Sequence, residues 1–71
     1  VFKYPVIIER ADENYSAYSP DLPGCVATGP TIKETILQMR DAIQFHIKGL
    51  EKEGLVIPEP STKIKYIEIS I

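Results

Sequence analysis

The stretch Tyr15-Ser16-Ala17-Tyr18-Ser19-Pro20-Asp21-Leu22-Pro23-Gly24-Cys25 decides how this chain is read. Its first half alternates as a strand does, with Tyr15 and Ala17 toward one face and Ser16 and Tyr18 toward the other. Its second half cannot prolong that strand. Pro20 and Pro23 lack the N–H that a central ladder needs, and Asp21-Leu22-Pro23-Gly24 is turn chemistry. A strand therefore runs into a rigid corner. Cys25 to Thr28 then reads as a short third strand, stopped by Gly29-Pro30.

Upstream, Phe2 to Arg10 predicts a first strand, in which Phe2, Tyr4, Val6 and Ile8 alternate with Lys3, Pro5, Ile7 and Glu9. Pro5 makes it an edge strand or a bulged one. The polar loop Ala11-Asp12-Glu13-Asn14 is short enough to close a hairpin onto the Tyr15 strand. Downstream, Thr31 with Glu34 matches a capping box, and Gly54 followed by Leu55 matches a left-handed helix end. Between them Ile32, Ile36, Met39, Ile43, Ile47 and Leu50 recur at three- and four-residue spacing, the stripe of a helix laid on a sheet. After a Pro58–Pro60 connector, Ile64 to Ile71 predicts a last strand with Ile67, Ile69 and Ile71 on one face. The order is β-β-β-α-β, and the class is α+β: an antiparallel sheet with one long helix across one face.

Order and spacing along nearly the whole chain resemble the HicB-type antitoxins. Their N-terminal domains carry a Tyr-x-Ala-x-x-Pro-Asp-Leu-Pro-Gly-Cys segment, matched here by Tyr15–Cys25, followed by a Gly-x-Thr that opens a helix, matched by Gly29-Pro30-Thr31. The resemblance implies a single HicB-like domain over residues 1–71, related to the double-stranded-RNA-binding fold lacking one helix. It also implies a non-enzymatic, cytoplasmic protein that binds and masks a small mRNA-cleaving toxin of the HicA type. Many relatives add a C-terminal DNA-binding domain. This chain holds no residues for one after Ile71, so it is not expected to bind DNA alone. An RNA-binding module of related fold and a degraded ribonuclease H-like enzyme are the alternatives.

Composition narrows these classes. A net charge of −2 with both signs interspersed is not the basic footprint of a nucleic-acid binder. One cysteine and one histidine make neither a disulfide framework nor a zinc site. No apolar run approaches the ~20 residues that span a bilayer. No cofactor is expected. Asp21 is the first candidate for general-base or metal chemistry, but capping its own turn explains it as well. Cys25 has no histidine near it in sequence and reads as a small buried hydrophobe. His46 sits on the margin of the helix stripe. Tyr4, Tyr15, Tyr18 and Tyr66 are not interleaved with basic residues, so they read as sheet packing rather than as base-stacking platforms.

Two surfaces are expected. The corner is a partner-binding surface, with contact area from Tyr18 and Leu22 and with Asp21 and Pro23 beside them. On the helix, Phe45 falls nearly opposite the apolar stripe, among Glu34, Asp41, Lys48 and Lys52. Ala42 and Gly49 flank it, Leu37 extends the patch, and small residues allow close helix approach. This strip is expected to mediate self-association into a homodimer or a higher homo-oligomer, since a chain of 71 residues has little core to spare.

Overall fold

The structure is a computed structural model describing residues 1–71. Strands β1 (Ile7–Arg10), β2 (Tyr15–Tyr18) and β3 (Val26–Gly29) form one antiparallel sheet in that order, followed by helix α1 (Ile32–Lys52). The register pairs Ile8 with Ala17 and Ala17 with Ala27, so one row of small and branched side chains faces the helix. Ala17, Leu22, Cys25 and Met39 are the buried core, and Tyr4, Val6, Ile8, Ala27, Ala42 and Ile43 pack around them. The class read from the sequence holds.

β1 is shorter than the sequence pattern suggests. Ile7 pairs with Tyr18, so residues before Ile7 would need partners at Ser19 and Pro20, where the second strand has already turned. The inward alternation nonetheless continues backward through Val6, Tyr4 and Phe2. The Phe2 and Tyr4 rings meet edge to face with centroids 6.0 Å apart. Cys25 lies just before β3 instead of opening it.

The C-terminal end of the helix forms as written, and the capping box forms in half, without the return bond from the Thr31 N–H to the Glu34 carboxylate. The Thr31 hydroxyl accepts from the Glu34 N–H at 3.1 Å. At the far end Gly54 has φ +69°, the Gly54 N–H donates to the Glu51 carbonyl, and the Leu55 N–H donates to the Leu50 carbonyl at 2.9 Å. That is a Schellman closure. The inward face is rotated from the isoleucine stripe. Thr35 and Met39 are the buried helix residues, whereas Ile32 and Ile36 are about half exposed. Thr35 can be buried because its hydroxyl donates to the Thr31 carbonyl at 2.7 Å.

The expected last strand does not form within the chain. No residue from 64 to 71 belongs to a ladder, and Tyr66, Ile67 and Ile69 are exposed. A strand needs a neighbouring edge, and this segment meets none after leaving the connector.

Candidate functional site

The corner between β2 and β3 is built from two successive turns. The Leu22 N–H donates to the Ser19 carbonyl at 3.2 Å, and the Cys25 N–H donates to the Leu22 carbonyl at 3.1 Å. Gly24 takes φ +81°, a left-handed conformation that favours glycine. The turns swing the Leu22 side chain inward, and it is completely buried. Leu22 therefore belongs to the core and offers no surface to a partner, against the expectation above. Tyr18 and Pro23 remain exposed.

Asp21 does not cap its own turn. Its carboxylate accepts from the Ser61 hydroxyl at 3.1 Å, the Thr62 hydroxyl at 2.9 Å and the Thr62 N–H at 3.4 Å. Partial desolvation pushes its pKa up, but the hydrogen bonds from Thr62 and Ser61 outweigh that and hold it below the ordinary value of 3.8. The Tyr4 hydroxyl donates to the Pro58 carbonyl nearby. Burial raises the Tyr4 pKa first, and the Asp21 charge adds to the effect. Together Tyr4 and Asp21 tie the chain after the helix to the turn end of the sheet. Because the Asp21 pKa is depressed in the folded protein, this tie is fully present above pH 3.8 and is lost as pH falls through the lower folded value. The Thr62 amide resonance should move in that acid window, and in Asp21→Asn it should not. A Thr62 resonance that titrates identically in both proteins would contradict the tie.

The other candidates stay apart. Cys25 is 4% exposed, and burial raises its thiol pKa, so it is not an activated nucleophile. No group of three or more histidine, cysteine or acidic side chains is placed to hold a metal ion. No helix is long and apolar enough to cross a membrane.

The sheet face away from the helix carries a feature that the sequence reading missed. Ile7, Tyr18 and Val26 are register partners across all three strands, on the side opposite Ala17. Tyr18 is 40% and Val26 65% exposed, so an apolar row lies open next to Pro23. The signal was available: a single helix covers a single face, and Val26 has the parity of the uncovered one. On the helix, Phe45 is 81% and Leu37 53% exposed, as expected for the outer strip. Gly49 is exposed with open space around it, but Ala42 packs against the core. Ala42 nevertheless joins Phe45 and Gly49 in bordering a groove shared with Gly24, Val26 and His46, at the β3 side of the helix.

Comparison with known proteins places this arrangement. The sequence profile of the HicB-like antitoxins of bacterial toxin–antitoxin systems matches residues 4–69. A 14.9 kDa protein from the rep–hol intergenic region of Haemophilus phage HP1 is 36% identical over 64 residues. That match takes in 90% of this chain but 48% of the phage protein, so the chain spans about half of that relative's length. A UPF0150 protein of Thermoplasma acidophilum is 36% identical over 62 residues, covering 86% of this chain and 90% of its own length. A Synechocystis UPF0150 protein is 31% identical across 100% of this chain and 91% of its own. Among solved structures, a chain of a HicA3–HicB3 toxin–antitoxin complex superposes with a TM-score of 0.72 at 32% identity, covering 84% of this chain and 70% of that one. With the profile matching residues 4–69 and the fold superposing on that complex component, the chain belongs to the HicB-like antitoxin family.

Proposed function

We propose that this protein binds a small HicA-type ribonuclease toxin and masks its active site, without catalytic activity of its own. The observation that carries the reading is the similarity, across most of the chain, to a component of a HicA3–HicB3 complex. The proposed contact surface is the row of half-buried Ile7 with exposed Tyr18 and Val26, with Pro23 at its end. Asp21 and Leu22 support it from behind, one by holding the connector and the other by filling the core. An aromatic flanked by aliphatic side chains on a rigid sheet is a good anchor, because little side-chain freedom is lost on binding. Because the proposed target cleaves mRNA, the reading requires a cytoplasmic protein.

The test is calorimetric titration against a HicA-type toxin, taken from the adjacent reading frame where that frame encodes a small basic chain. Binding at one-to-one subunit stoichiometry is expected, and Tyr18→Asp should weaken it by at least tenfold while leaving the helix signal intact. Single- and double-stranded RNA incubated with the antitoxin alone and magnesium or manganese should stay intact. Absence of binding, or RNA cleavage that vanishes in Asp21→Asn, would overturn the proposal.

A further inference from the structure

Helix α1 lies over β3 and β2, so β1 is left at the open side of the fold. A groove of about 470 Å³ runs there, lined from the strand side by Phe2, Tyr4, Val6 and Ile8 and from the helix side by Ile36 and Ile43. β1 pairs only with β2, so the backbone groups of its other edge are unused. The fold therefore has a vacant strand position with an apolar floor beneath it.

The chain also carries a strand without a position. Residues 63–71 make no backbone hydrogen bond to any other part of the molecule. Ile67 and Ile69 are 81% and 73% exposed, although they alternate with Glu68 and Ser70 as a half-buried strand requires. The Asp21 bonds to Ser61 and Thr62 fix where this segment departs from the body. The radius of gyration is 13.9 Å, against about 11 Å for a compact chain of 71 residues, so the segment projects away instead of folding back.

We infer that residues 64–71 of one copy add to the β1 edge of a second copy, with Ile67, Ile69 and Ile71 inserted into its groove. Each chain then both donates and receives a strand, which closes a two-fold dimer. The main-chain groups of β1 and of the donated segment satisfy one another, and the alternate side chains of the segment meet the apolar floor. This interface is distinct from the Phe45 strip, which lies at the β3 side of the helix. It is also independent of toxin binding.

Sedimentation equilibrium with amide exchange separates these possibilities. The wild-type chain should be a dimer whose residue 65–71 amides are protected, with protection falling as the protein is diluted. The double variant Ile67→Asp with Ile69→Asp should raise the dimer dissociation constant by on the order of a hundredfold or more. It should keep the helix signal, because both side chains are exposed within one copy. Phe45→Glu should leave the dimer unchanged. A wild-type monomer at high concentration, a dimer that survives the double variant, or a dimer lost in Phe45→Glu would overturn the inference. So would protection of residues 65–71 that appears only when toxin is added.

Discussion

Leu22→Ala should remove about half of the folding stability. Leu22 is completely buried, and only Ala17, Cys25 and Met39 share its hydrophobic core. Truncating such a leucine costs about 2–5 kcal/mol, from lost transfer energy and from the cavity left behind. A chain of 71 residues has roughly 4–10 kcal/mol in total at the usual stability per residue. The site cannot collapse to fill the cavity, because Gly24 at φ +81° and two flanking prolines fix the corner around it. A urea titration followed by helix signal should show the midpoint shifted far down. A midpoint within error of wild type would show that the corner is not the centre of the core.

Gly29→Ala should be the second most damaging change, for the opposite reason. A Cβ at Gly29 would sit 2.7 Å from the Thr35 hydroxyl, 2.8 Å from the Thr35 nitrogen and 3.0 Å from its Cα. The hydroxyl could rotate, but only by giving up its bond to the Thr31 carbonyl. The backbone nitrogen cannot rotate away. It is held in the first turn of the helix by the Thr35 N–H bond to Thr31 at 2.9 Å. The helix start must therefore shift off the end of β3, which costs about 1–3 kcal/mol by analogy with overpacked cores. The urea midpoint should fall accordingly. Unchanged stability would mean that the close approach of β3 to the helix is not required.

Local features were legible in the sequence because their chemistry is local. Thr31, Gly54 and the Pro20–Gly24 corner each act on backbone groups within a few residues, and each acts as its residue types demand. What was not legible depends on contacts distant in sequence. Asp21 reads as a turn cap until Ser61 and Thr62, some 40 residues away, arrive at its carboxylate. Leu22 reads as exposed because turns usually are, yet two consecutive turns point its side chain inward. Thr35 is hidden in the helix pattern because a hydroxyl satisfied by its own helix behaves as a small apolar group. Ile64 to Ile71 has the alternation of a strand, but periodicity identifies a strand without saying where its partner edge lies. For the candidate surface, Tyr18 and Pro23 were found from the motif. Ile7 and Val26 required the register that brings them into one row with Tyr18.

In the function proposed above, this HicB-like protein neutralises a ribonuclease toxin through the open sheet face. Purified protein is to be titrated into a reaction in which a HicA-type toxin, from the adjacent reading frame where that frame encodes one, cleaves a labelled mRNA. Cleavage should fall linearly to zero as the antitoxin approaches one subunit per toxin, and the Tyr18→Asp variant, folded by its helix signal, should need at least tenfold more protein for the same effect. Cleavage that continues undiminished with excess wild-type protein would contradict the account, and full inhibition by Tyr18→Asp at the wild-type ratio would remove the sheet face from it.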